Sequence, residues 1–160
     1  MELVKNFLNT FVSFLIRRLS FFLVDLYIAV KRIYGTDKAL NIFIPVMDFI
    51  GKKRAPIMAR LGKVKLQDMS SLGKIQDMED MIFGVFGTWE KAEKDEAIKV
   101  EMFCPFAQKL KGHSEFCHVL VKRFEESTFR SLNPSYSLEI KGKLLSEHNG
   151  TGCIFIHKLK

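Results

Sequence analysis

Apolar residues recur every three or four positions from Val4 through Leu8, Phe11, Leu15, Leu19, Phe22, Leu26 and Val30 to Ile33, without a break. A helical period of 3.6 residues brings such positions to one side, so the stretch predicts one long helix ending near Gly35. Asn9, Ser13, Arg17, Ser20 and Lys31 lie off the stripe, while Phe7, Phe14, Ile16, Phe21 and Leu23 widen it beyond a coiled-coil seam. The rest of the fold, a second copy of the chain or a lipid surface must cover the surplus.

A second helix is expected to open on Thr36 and Asp37 as caps, with Pro45 bending or breaking it. The basic stretch GKKRAPIMARLGKVK follows, and LQDMSSLGKIQDMEDMIF reads as a third helix with Leu72, Ile75, Met78, Met81 and Ile82 on one side. After Gly84 the period changes. VFGTWEKAE and DEAIKVEMF read as two strands, the second placing Ile98, Val100 and Met102 on one face and Lys99 and Glu101 on the other. SEFCHVLVKRFEESTF is a helix capped by Ser114, YSLEIKGKLLS alternates as a strand, and TGCIFIHKL closes the chain as another. The fold class expected is α+β: N-terminal helices packed with a C-terminal antiparallel four-stranded sheet carrying a helix, in the order β-β-α-β-β. Residues 1–66 read as a basic helical region and 67–160 as an α+β domain.

Of 160 residues, 48% are hydrophobic and 27% charged, with fifteen Phe, which is the composition of a packed chain and argues against disorder. The net charge of +7 is unevenly placed: residues 1–66 hold twelve Lys/Arg against four Asp/Glu, and the remainder thirteen against fourteen. The cluster Lys52, Lys53, Arg54 has no aromatic stacking platform around it, which argues against a nucleic-acid partner. Arg17 and Arg18 interrupt the first apolar run, and the uncharged stretch from Asn6 to Ile16 is eleven residues, well short of the roughly 20 that span a bilayer. Neither a secretory leader nor a transmembrane helix is expected. Three cysteines without a disulfide framework point to free thiols and a cytoplasmic protein. Arg17, Arg18, Lys31 and Arg32 on the Phe-rich helix add a peripheral contact with an anionic membrane to the partner list, beside a homo-oligomer formed through the same helix.

The chemistry-bearing residues cluster late. Cys104 follows a strand and precedes Pro105 at the start of a helical segment, where backbone N–H groups would lower a thiol pKa. Cys117 lies on the apolar side of its helix, where core packing is the plain reading. His118, with Lys122 and Glu125, reads as part of a solvated face, and His113 as a loop residue. Cys153, Phe155 and His157 share one face of the last strand. Glu101 and Glu147 are the carboxylates nearest these cysteines in sequence, either ordinary exposed charges or a source of a general base. The chain lacks the short ligand pairs of a sequence-readable zinc site, and Cys104 stays open between a metal ligand, a nucleophile, a substrate contact and a packed thiol.

The elements VEMFCPFAQ, EFCHVL, SLNPSYSLEI and TGCIFIHKL, in this order, carry a family pattern. Over about residues 70–160 the chain resembles the L-2-amino-thiazoline-4-carboxylic acid hydrolase family, and its closing hairpin is similar to the vinyl-reductase type of domain, associated with tetrapyrrole pathways and small-molecule sensing. The resemblance implies that Cys104, Cys117 and Cys153 are the family-type cysteines and that the reaction is hydrolysis of a cyclic C–N bond, opening a thiazoline ring. Read this way, Cys104, Cys117, Cys153 and His157 line a small-molecule pocket, a divalent metal or Glu101 or Glu147 activates the water, and Cys104 and Cys117 hold the metal. Where the family carries an acid after the helix cysteine, this chain has His118. That departure favours a second expectation, a non-catalytic sensor module binding a small molecule or a metal.

Overall fold

A computed structural model describes the backbone of residues 2–160 and the side chains of residues 10–160; Val4 and Leu8 of the opening stripe, Phe7 that widens it and Asn9 off it have side chains outside the described residues. The order is α1 (Glu2–Tyr34), α2 (Thr36–Gly62), α3 (Met69–Phe83), β1 (Phe86–Ala92), β2 (Glu96–Phe103), a π-helical segment (Phe116–Val121) running directly into α4 (Lys122–Leu132), β3 (Tyr136–Lys141) and β4 (Cys153–Leu159). The sheet is antiparallel throughout, in spatial order β1-β2-β4-β3. This is the α+β, β-β-α-β-β arrangement that the change of period predicts.

The apolar stripe of α1 faces outward. Leu15, Leu19, Phe22, Leu26 and Ile33 are exposed, whereas Val24 and Tyr27 are buried with Leu23, Ile28 and Val30 against them. Both sides of this helix are apolar, and the fold buries the side carrying polar handles. Tyr27 packs edge-on to Phe43 and Phe116, and its hydroxyl donates to Glu115 Oε1 at 2.8 Å, where Lys31 also binds at 2.5 Å.

Gly35, at φ +84°, ends α1 and starts α2 in one residue, its N–H bonded to Lys31 O and its carbonyl to Ala39 N–H. Thr36 is therefore the first residue of the helix, not its cap. Pro45 and Pro56 both lie inside α2 without ending it. The lost N–H bonds are outweighed by a continuous buried side, Ala39, Phe43, Met47, Gly51, Ala55 and Met58. At Gly51 the helix touches α4 so closely that a Cβ would overlap Ser127 Oγ and come within 2.6 Å of the Phe124 carbonyl.

Helix α3 begins on an Asp68 cap, whose carboxylate accepts from Ser71 N–H at 3.3 Å, and ends on Gly84 at φ +75°. Its buried side is Met69, Leu72, Ile75, Gln76, Glu79 and Asp80; Met81, expected on that side, is exposed. The sheet is likewise turned over. Ala97, Lys99 and Glu101 of β2 point into the molecule, while Ile98, Val100 and Met102 form a half-exposed outer face. Cys153, Phe155 and His157 of β4, with Tyr136 and Leu138 of β3, complete the inner face. One core lies between that face, α3 and α4, and a second between α1, α2 and the π-helical segment. Cys117 and Val121 pack against both.

Candidate functional site

Two features ask for a functional reading: the polar interior beneath α3, and the outward sides of α1 and α2. In the interior, charges are matched across elements. Lys99, 1% exposed, reaches from β2 to Asp77 and Asp80 of α3 at 2.7 and 2.6 Å, and its ammonium lies 4.8 Å from the Trp89 ring centroid. Arg54 of α2 pairs with Glu79 of α3 and with Glu125 of α4 at 3.1 Å, donates to Thr128 Oγ1 at 2.8 Å, and stacks on the Phe124 ring at 3.4 Å. Burial, and the Glu125 carboxylate alongside, hold Glu79 well above the ordinary carboxylate range despite the guanidinium. One cation thus fastens three helices, and removing it would leave two buried carboxyls without their partner.

The structure brings the three cysteines toward one another at the same end of the sheet. Cys153 is the cross-strand partner of Glu101, Cys104 lies just beyond β2, and Cys117 comes in from the π-helical segment with Ser146 Oγ 3.9 Å from its sulfur. Their electrostatics are unfavourable to nucleophilic chemistry. Burial pushes the Cys104 and Cys117 thiols up to about 12 and Cys153 up to about 11, and the nearby Glu101 carboxyl adds to each. The backbone N–H groups of Phe106 and Ala107 do act to lower Cys104, as its place before Pro105 predicts, and desolvation outweighs them. At neutral pH all three are thiols, whereas nucleophilic attack uses the thiolate.

The candidate general bases part company. Glu101 is 6% exposed, takes a hydrogen bond from Gln76 Nε2 at 3.3 Å, and is raised to about 8, chiefly by burial and then by Asp80 and Glu125. Glu147 staples its own loop, accepting from Leu144 N–H at 2.8 Å, with His118 Nε2 3.5 Å away. His157 does not join the thiols. Four residues along the strand from Cys153, roughly 13 Å, it is fully buried among Trp89, Phe129 and Phe155 with Nδ1 2.8 Å from the Tyr136 hydroxyl. Burial lowers it to about 3, so it is neutral.

The expected divalent metal at Cys104 and Cys117 does not fit this donor set. Among the described residues no group of three or more His, Cys, Asp or Glu side chains is arranged to hold an ion. A surface depression of about 180 Å³ lies elsewhere, between α2 and α4, lined by Asp48, Lys52, Arg123 and Glu126 among others.

The second feature was half legible in the sequence. Leu19, Phe22 and Ile33 of α1 and Phe49, Ile57 and Leu61 of α2 are each 60–70% exposed. Three exposed cation–aromatic pairs sit among them: Arg18 on Phe14, Lys38 on Tyr34 and Lys53 on Phe49. Exposed apolar side chains in this number mark a surface that something covers. The stripe on α1 was readable as a period; its outward direction, and the matching side of α2, were not. No helix among the described residues is long and apolar enough to cross a membrane.

No family model matches the chain, and no curated protein matches it. Among solved structures it is similar to a trafficking protein particle complex subunit 3 from Naegleria fowleri, covalently bound to palmitic acid, with a TM-score of 0.59 and 9% identity, covering 87% of this chain and 93% of that one. The likeness is one of fold. It corrects the functional expectation: the fold is shared with a trafficking complex subunit, and among the described residues the thiols have no third ligand arranged with them for a metal. Ring-opening hydrolysis of a thiazoline, and the small-molecule or metal sensor set beside it, are both set aside.

Proposed function

We propose that this chain is a non-catalytic assembly subunit that docks onto another protein through the outward sides of α1 and α2, in a membrane-peripheral complex. The observation that carries the reading is the apolar surface itself. Six large side chains on two consecutive helices stand 60–70% exposed, while the same helices bury a full second side in the core. A helix apolar on both sides is the pattern of an element sandwiched between its own fold and a partner. The fold neighbour is described as a subunit of a trafficking complex, which supports assembly as the working role. Its palmitate is a property of that protein and is not carried over. The resemblance of residues 70–160 to the thiazoline hydrolase family is kept as a proposal of common descent only, without its reaction.

A second reading rests on the three exposed cation–aromatic pairs, a combination suited to the headgroup level of a membrane. Here the same face would lie on anionic lipid.

The test is the native mass of the protein recovered gently from its own cells, as wild type and as the double variant Leu19→Glu, Ile57→Glu. Both sites are exposed, so the variant keeps its melting temperature. Wild type in a stoichiometric complex, with the variant recovered at the monomer mass, is the expected result. A wild type that is monomeric, or a variant as fully assembled as wild type, removes the reading.

A further inference from the structure

The charge around the exposed stripes says what kind of partner they accept. Arg18, Arg32, Lys38, Lys53 and Arg60 are all exposed on α1 and α2, and the acids of the same helices are largely engaged elsewhere. Asp25 holds Lys109 at 2.6 Å, and Asp48 makes a two-pronged pair with Arg123 at 2.6 and 2.8 Å, which among the described residues leaves Asp37. Residues 1–66 as a whole carry twelve Lys/Arg against four Asp/Glu. A symmetric homodimer presents the same patch from both copies. Through this face it would bring two uncompensated basic surfaces together around an apolar centre, where water is excluded and like charges repel most strongly.

Resting on the docking role proposed above, we infer that the partner is a non-identical protein whose apolar contact face is edged with Asp and Glu, and that this chain does not pair with itself there. Apolar burial gives that contact its adhesion, and the rim charges select the partner and speed the encounter. The five cations are split between two helices, so a single acidic helix laid between them would meet both sets.

A charge-reversed copy of the same chain is the probe: Arg18→Glu, Arg32→Glu, Lys38→Glu, Lys53→Glu and Arg60→Glu, with the apolar stripes intact. All five positions are exposed and none is in an ion pair among the described residues, and circular dichroism checks that the copy folds. If it does not, the α2 pair Lys53→Glu, Arg60→Glu alone serves. Dissociation constants are measured by sedimentation for wild type with itself, the probe with itself, and the mixture. The expected result is a mixed pair at least about tenfold tighter than either self-pair at about 50 mM salt, with the advantage lost near 500 mM as the charges are screened. A wild type that pairs with itself as tightly as with the probe overturns the inference; the docking role still stands if Leu19→Glu, Ile57→Glu abolishes that pairing. Absence of a mixed complex also overturns it, and flotation of wild type with phosphatidylserine vesicles then identifies the face as a membrane surface. If the double variant changes none of these and leaves the native mass untouched, the docking role falls too.

Discussion

Glu101 shows how a single residue misleads a reading made along the strand. Alternation separates it correctly from Ile98 and Val100, but which face is inside depends on α3, which supplies Gln76 and Asp80 to a polar interior. The consequence is a pH dependence with a definite sign. The folded carboxyl titrates near 8, while the unfolded one titrates near 4.5. Between those values the folded state holds a proton that the unfolded state has lost, so this group's contribution to stability is full below about 4.5 and declines as pH rises to about 8. The slope is on the order of 1 kcal/mol per pH unit. His157, lowered to about 3, acts in the opposite sense: its contribution is present above 6.5 and is lost as pH falls toward 3. Urea melts from pH 6.5 to 8.5, above the range in which His157 acts, should show wild type weakening toward alkaline pH and Glu101→Gln with a shallower slope, the remainder belonging to the other raised carboxyls, Glu79 and Asp80. Equal slopes in the two proteins would mean that Glu101 is ionised in the fold.

At the scale of elements, the helices, the strands and the chain order followed from period and punctuation. What period does not encode is direction when an element is apolar on both sides or polar on its inner one. Helix α1 is the first case, its cleaner stripe turned outward because Tyr27 and Lys31 on the other side find Glu115. Strand β2 is the second, because Lys99 and Glu101 have partners waiting on α3. The three cysteines could be placed near one another by their strands and helix, but their desolvation arises from neighbours that lie far away in sequence. Residues that fasten the fold, Arg54 with Glu79 and Glu125, gave one faint sign: Glu79 and Asp80 fall on the same helical side as Leu72 and Ile75. Helix α2 survives two prolines because its buried side is seated on α4, and Gly51 is a point of close approach. Gly51→Ala should therefore destabilise the protein by about 1–3 kcal/mol, against the small gain that the same change gives in an exposed helix. Thermal melts decide it, and an unchanged or raised melting temperature would show that α2 and α4 can part there freely.

For the whole molecule, the account turns on one surface. The chain presents two apolar exteriors, the outward sides of α1 and α2 and the half-exposed outer face of the sheet at Ile98, Val100 and Ile154. The helical one is more exposed and bordered by cations that make no ion pair among the described residues, and the proposed subunit role assigns the partner to it. Hydroxyl-radical footprinting of the protein in its native complex and after isolation tests that assignment most directly. Protection of Leu19, Phe22, Phe49 and Ile57 in the complex, with Ile98 and Val100 labelled equally in both states, is the result predicted. Protection confined to the sheet face, with α1 and α2 labelled as strongly in the complex as alone, would contradict it.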